Sequence, residues 1–249
     1  MPDPEYVVRP AYHLYRLAWT SLDWVYPPRC SGCGSIGSRF CDHCLQQIQS
    51  IQPPICSICG RSLIAPGVCR TCQKSPPGFA AMRSWALFSG PLRNAMHRLK
   101  YKRDVALGDT LAQPMIRLFA SSGWTIDLVT AVPAGVARRA ERGYNQAALL
   151  ARPIALSQGT PLRLDALHKS RETRSQVGLN AMERLRNVEN AFEADSGCVQ
   201  GKRILLVDDI TTSGATVTAC TQALTRAGAQ QVYVLTLARA AESFAGASA

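Results

Sequence analysis

Apolar residues recur along this chain at two different spacings. Between Tyr12 and Val25, residues Leu14, Leu17, Ala18, Leu22 and Val25 fall at helical intervals, with Trp19 and Trp24 nearby and Pro27-Pro28 closing the run. This pattern predicts an amphipathic helix packed against the body. Beyond the linker-like Gln73-Lys74-Ser75-Pro76-Pro77-Gly78, strand-like and helix-like segments alternate. Strands are expected at Trp85–Phe88, Ile126–Val132, Arg203–Val207 and Gln231–Leu237. Helices are expected at Leu92–Lys100, Val105–Ala120, Asn145–Leu156 and Thr216–Ala227. Short β-branched runs separated by helices imply an α/β domain, a parallel sheet with helices on both faces.

The segment between the first helix and the linker has no such periodicity. It holds eight of the ten cysteines, as four Cys-x-x-Cys pairs: Cys30/Cys33, Cys41/Cys44, Cys56/Cys59 and Cys69/Cys72. A two-residue spacer lets both thiolates of a pair face one ion, and two pairs complete a tetrahedral zinc site. Sequential pairing, giving about two structural zinc ions, is favoured over an interleaved arrangement. Each half then reads Cys-x-x-Cys-Gly, a short excursion, and Cys-x-x-Cys, with Gly34 and Gly60 where a tight knuckle needs positive φ. A disulfide framework needs an oxidising compartment, and nothing in the chain directs it to one. His43 is expected to be a bystander, and Cys198 and Cys220 small buried residues. Gly32-Cys33-Gly34-Ser35-Ile36-Gly37 matches G-x-G-x-x-G, but no strand precedes it and no helix follows, so a dinucleotide site is rejected.

The 249 residues are 47% hydrophobic and 18% charged, which excludes a mostly disordered chain. No apolar run approaches the ~18 residues of a membrane span, and Met1-Pro2-Asp3-Pro4-Glu5 lacks the features of a secretory signal. A cytoplasmic protein without membrane insertion is expected. Lys and Arg total 28 against 17 Asp and Glu, a net charge of +11. Six basic residues and no acidic one lie between Arg83 and Arg103, and ten basic and four acidic between Arg138 and Arg186. Such concentration favours a polyanionic partner, nucleic acid or a polyphosphate metabolite.

The chemistry concentrates in Ile204-Leu205-Leu206-Val207-Asp208-Asp209-Ile210-Thr211-Thr212-Ser213-Gly214-Ala215-Thr216. Four apolar residues make a central strand, two carboxylates emerge at its carboxyl end, and a hydroxyl- and glycine-rich turn opens a helix. Ligands of open α/β sheets bind at that edge, and hydroxyls with backbone N–H groups at a helix start hold an anion. Adjacent carboxylates above a phosphate cradle suit the hydroxyls of a ribose, with Mg²⁺ nearby. A P-loop is excluded, because G-x-x-x-x-G-K-[ST] is missing. The run resembles the 5-phosphoribosyl 1-pyrophosphate (PRPP) signature of type I phosphoribosyltransferases. That resemblance implies that Asp208 and Asp209, the candidate catalytic pair, address the ribose 2′- and 3′-hydroxyls, and that Thr212–Thr216 bind the 5′-phosphate. Thr211, counted with the expected PRPP-binding residues, departs from it, standing where the signature usually has an apolar or aromatic residue.

Strand Asp127–Val132 leads into Pro133 and then Arg138-Arg139-Ala140-Glu141-Arg142-Gly143-Tyr144-Asn145-Gln146. The resemblance places pyrophosphate here, and Arg138, Arg139 and Arg142 suit that task chemically. Lys169-Ser170-Arg171-Glu172-Thr173-Arg174-Ser175-Gln176 is polar and basic, as a loop closing over pyrophosphate would be. Together with Pro27-Pro28-Arg29-Cys30, Leu99-Lys100-Tyr101, Val132-Pro133, Gln176, Arg184, Asn187-Val188 and Ala191-Phe192, these motifs resemble the ComF family of bacterial competence proteins over roughly residues 20 to 240. The resemblance implies a helix at 1–28, a double zinc ribbon at 29–76, a type I phosphoribosyltransferase-like domain at 79–240 and a flexible tail at 241–249.

Two function classes fit. In one, PRPP–Mg²⁺ binds and its pyrophosphate leaves as an acceptor attacks. In the other, a competence factor binds single-stranded DNA and uses the site as a PRPP or phosphate sensor, with other competence proteins as partners. DNA is expected on Arg93, Arg98, Lys100, Lys102 and Arg103, with Arg93, Lys100 and Arg103 close to one face of a continuing helix and Tyr101 or Tyr144 available for stacking.

Overall fold

The computed structural model describes residues 9–173 and 181–241. Helix α1 (Pro10–Val25) leads into the cysteine segment, which contains the single turns α2 (Asp42–Gln46) and α3 (Arg70–Lys74). Then follow β1 (Ala81–Leu87), α4 (Gly90–Tyr101), α5 (Leu107–Ala120), β2 (Leu128–Ala131), α6 (Val136–Arg142) and α7 (Gln146–Gln158). The remaining elements are β3 (Leu167–Lys169), α8 (Ala181–Val188), β4 (Phe192–Ala194), α9 (Ser196–Val199), β5 (Arg203–Thr211), α10 (Ala215–Arg226) and β6 (Gln231–Arg239). Four strands form a wholly parallel sheet in the order β1-β6-β5-β2, and β3 pairs antiparallel with β4 beside it.

Successive side chains of a strand point to opposite faces, and β5 shows the consequence. Ile204 and Leu206 enter a core shared with α10, the β3–β4 hairpin and the second half of the cysteine segment. Leu205 and Val207 enter another, built from α1, α4, α5 and α7. Both faces are therefore covered, as the alternating pattern predicts. On α4, Leu92, Ala95, Met96 and Leu99 are buried at helical spacing. Helices α5 and α7 run through Pro114 and Pro153, both buried; here apolar packing outweighs the lost hydrogen bond.

At the amino-terminal end of the sheet, Asp127 receives the Arg203 guanidinium at 2.9 and 2.7 Å and the Arg203 N–H at 2.9 Å. This ties the entry of β2 to that of β5, leaving the carboxyl end for chemistry. Among the described residues no helix is long and apolar enough to cross a membrane.

Candidate functional site

The cysteines resolve into two clusters of four, Cys30, Cys33, Cys41 and Cys44, then Cys56, Cys59, Cys69 and Cys72, with sulfurs within 4.8 Å of one another. Pairing is thus sequential, and the sulfurs-only donor set fits a closed, structural zinc site. In each cluster the leading sulfur accepts backbone N–H groups: Cys30 from Gly32 and Cys41, Cys56 from Cys59 and Cys69. Burial opposes ionisation of these thiols, but the N–H groups outweigh it and pull each down to about 6. Gly34 and Gly60 adopt φ of 86° and 67°. The clusters differ in setting. All four cysteines of the second are buried and belong to the same core as β5 and α10, whereas Cys33 of the first is exposed. Cys220 is buried in that core too.

The acid pair lies within β5, which runs four residues past the expected end at Val207 before α10 begins. The alternation that sorts the core starts the two side chains in different directions, but their carboxyls remain close enough to interact. Asp208 follows Leu206 toward α10, near Cys220, whose thiol is pushed up by burial first and by Asp208 second. Asp209 follows Val207 toward α4 and α7. Its Oδ2 lies 2.8 Å from the Lys100 ammonium and its Oδ1 accepts the Ile210 N–H at 2.6 Å, with Gln146 of α7 also in reach. Burial works against the Asp209 charge, but Lys100 and these donors hold its carboxyl below the ordinary range. Burial, and then the neighbouring charge of Asp209, push Asp208 well above that range.

Past the pair, Thr211 ends the strand and is buried, whereas Thr212 and Ser213 are exposed. Gly214 caps α10 with φ 83°, a left-handed conformation that suits glycine. Ala215 and Thr216 form the first turn of that helix. Hydroxyls and N–H groups converge there without a bulky side chain, an arrangement able to hold a phosphate.

The candidate pyrophosphate arginines sit on a short helix of their own, ahead of the helix expected from Asn145. Arg138, Arg139 and Arg142 belong to α6, which Gly143 ends with φ 84° before Asn145 caps α7 through the Ala147 N–H. A segment rich in arginine carries no apolar stripe by which to predict a helix. Arg142 lies 5.1 Å over the Tyr101 ring, which His97 adjoins at 4.9 Å. Tyr144, offered for stacking, donates its hydroxyl to the Leu99 carbonyl instead. The segment after β3 reaches the same place, with Glu172 accepting the Val136 N–H and Lys169 within 3.6 Å of Glu172. Residues 174–176 of that expected loop, Gln176 among them, lie outside the described residues, as does the tail from 242 onward.

The expected nucleic-acid patch is not a single face. Helix α4 stops at Tyr101 and Arg103 has φ 54°, so the turn carries Arg103 off the line of Arg93 and Lys100. Lys100 is turned inward to Asp209, and Arg98 is paired with Asp104 at 3.1 Å. Arg93, Lys102 and Arg103 remain exposed. Sequence reasoning treated Lys100 as one of a charged run. The available signal was its place beside Leu99, at the border of the buried stripe.

Residues 21–73 match the family model described as a double zinc ribbon domain, and residues 115–244 the one described as a phosphoribosyl transferase domain. The DNA utilization protein YhgH of Salmonella typhimurium is 32% identical over 206 residues, covering 80% of this chain and 90% of that protein. Competence protein F of Haemophilus influenzae is 29% identical over 209 residues, 81% and 90% of the two chains. Competence protein ComFC of Bacillus subtilis is 26% identical over 210 residues, 81% and 84%. Among solved structures, a glutamine PRPP amidotransferase from B. subtilis complexed with ADP and GMP aligns with a TM-score of 0.35 and 26% identity, over 55% of this chain and 26% of that one. With two four-cysteine ribbons ahead of a parallel α/β sheet, the chain belongs to the ComF family, a double zinc ribbon joined to a phosphoribosyltransferase domain.

Proposed function

We propose that this protein binds PRPP with Mg²⁺ at the carboxyl end of β5, in the cytoplasm, as part of DNA utilization or natural competence. The observation that carries the reading is the buried Asp208–Asp209 pair directly ahead of the open Thr212–Thr216 turn. The turn takes the 5′-phosphate, Asp208 and Asp209 take the ribose hydroxyls, and Arg138, Arg139 and Arg142 face the pyrophosphate. Mg²⁺ entering with PRPP would neutralise charge on its pyrophosphate. In a transfer, an acceptor's lone pair bonds to the anomeric carbon as the bond to pyrophosphate breaks, and the electron pair leaves on the pyrophosphate oxygen. The cationic side chains of α6 stabilise that departing charge.

The test is thermal unfolding with and without PRPP–Mg²⁺. A ligand confined to the folded state stabilises it by about 2.7 kcal/mol at a hundredfold excess over Kd, roughly 5–10 °C for a chain of this size. Asp208→Asn/Asp209→Asn should abolish the shift. No shift in the wild type at millimolar PRPP, or an equal shift in both proteins, refutes the reading.

Single-stranded DNA is proposed as a second ligand, in keeping with the relatives named for DNA utilization and competence. Its phosphates would lie on Arg93, Lys102 and Arg103, the exposed cations at and beyond α4.

A further inference from the structure

Lys100 is the one member of the basic run around α4 whose ammonium meets the acid pair. It lies 2.8 Å from Asp209 Oδ2, with the two side chains 20% and 8% exposed. A cation held out of water needs a partner, and α4 brings Lys100 to this one because it follows Leu99 at the edge of the buried stripe. Adjacent carboxylates out of water repel each other, and one remedy is a metal ion. Here a side chain already stands against one of them.

We propose that Lys100 is a positioning residue of the sugar-phosphate site, its ammonium supplying Asp209 with the positive charge that this buried pair would otherwise draw from a divalent cation. The assignment rests on the ribose reading of the site. Asp209 is held on one oxygen by Lys100 and on the other by the Ile210 N–H. It is therefore a fixed acceptor for a hydroxyl. Asp208 lies beside Asp209, close enough for the two carboxyls to interact, and its Oδ1 accepts the N–H of Asp209 at 2.8 Å. Burial favours its protonated form, which donates as well as accepts. A fixed acceptor beside a donor is complementary to two vicinal hydroxyls. The metal bound with PRPP then serves the pyrophosphate rather than the acid pair.

Ribose 5-phosphate separates these roles, since it carries the phosphate and the diol but no pyrophosphate to bring a metal. By calorimetric titration, the wild type should bind it with affinities in EDTA and in millimolar MgCl₂ that agree within about twofold. Lys100→Met should lose about tenfold or more in EDTA, equivalent to about 1.4 kcal/mol, and regain part of it in MgCl₂. Lys100→Arg should bind as the wild type does. In an Asp209→Asn background, Lys100→Met should add no further loss. A wild type that needs Mg²⁺ overturns the proposal, as does a folded Lys100→Met that binds normally in EDTA or is not helped by Mg²⁺. Zinc content and the thermal midpoint establish folding, and if Lys100→Met does not fold, the wild-type and Lys100→Arg titrations decide. Wild-type binding in neither buffer refutes the ribose reading itself, and the role of Lys100 with it.

Discussion

Gly34 and Gly60 occupy the same place in the two knuckles, and the structure gives them different consequences. Both are left-handed, so a Cβ at either costs about 1–2 kcal/mol in backbone strain. At Gly34 the added atom meets nothing within 4 Å, whereas at Gly60 it would lie 2.5 Å from the Met82 carbonyl oxygen and 3.5 Å from Arg83 Cα. Ordinary contact begins about 1 Å farther out. The obstacle cannot easily withdraw. It is strand backbone, with Met82 in register with Val234 of β6, its N–H given to the Ile58 carbonyl at 2.6 Å, and Arg239 donating to the Cys59 carbonyl nearby. Forcing a methyl group into a packed site adds about 1–3 kcal/mol. Gly60→Ala should therefore cost about 2–5 kcal/mol, against about 1–2 kcal/mol for Gly34→Ala. Thermal unfolding followed by tryptophan fluorescence reads the difference, an additional drop of roughly 2–12 °C for Gly60→Ala. Equal losses in the two variants would refute the claim that the second ribbon is locked onto β1.

Other expectations follow from the same structure. Protein purified without added metal should carry about two zinc ions per chain by elemental analysis; one or none, with reduced cysteines, would count against the double site. Replacing Arg93, Lys102 and Arg103 with alanine should weaken single-stranded DNA binding and flatten the salt dependence, which has a slope of about −0.7 per neutralised phosphate. The PRPP-induced thermal shift should survive that change, and unaltered DNA binding would make the three only a solvated face. Hydrogen bonds from Arg203 hold the Asp127 carboxyl well below the usual carboxylate range. Its stabilisation is present above its unfolded value of about 3.9 and is lost as pH falls through the lower folded one. Asp127→Asn should thus melt below the wild type at neutral pH, with the gap closing in acid; a gap independent of pH would mean that the ion pair is not its cause.

The elements legible in the sequence are those whose burial is periodic. Helices α4, α5, α7 and α10 and strands β2, β5 and β6 lie where apolar spacing puts them, with ends shifted by a few residues. Helix α1 forms where expected but packs through Tyr12 and Tyr15, and the expected apolar face of Leu14, Leu17, Ala18, Leu22 and Val25 is exposed. Strand β1 begins at Ala81, earlier than Trp85, because Arg83 and Ser84 obscure its apolar face. The β3–β4 hairpin has three-residue strands, too short to show a period, with His168 facing Glu193 across it. Both cysteine clusters were legible from spacing alone, because metal chemistry fixes which side chains must meet. The acid pair and the Thr212–Thr216 turn were legible as a run of residues, but their surroundings were not. No linear signal says that a lysine 109 positions before Asp209 will face it; only the packing of α4 on that side of the sheet does so.

That packing links the zinc ribbon to the site in a way neither motif shows alone. The first ribbon grips the amino-terminal half of α4: Asn94 donates to the Gly32 carbonyl at 3.0 Å, and a Cβ on Gly32 would meet both Pro91 and the Cys44 sulfur. Arg39, seven residues beyond Gly32, pairs with Asp23 of α1 and lies 3.9 Å from Asp104, just past the end of α4. Asp104 in turn holds Arg98. The helix is thus fixed at both ends by the ribbon, directly at Pro91 and Asn94 and through Asp104 at the other. Its last turn carries Lys100 to Asp209 and Tyr101 to Arg142, one on the side assigned to ribose and the other on the side assigned to pyrophosphate. A helix reaching both halves of a ligand site has to be held in register to serve either. A closed metal knuckle, whose conformation is set by four sulfur bonds rather than by a large apolar core, is well suited to hold it.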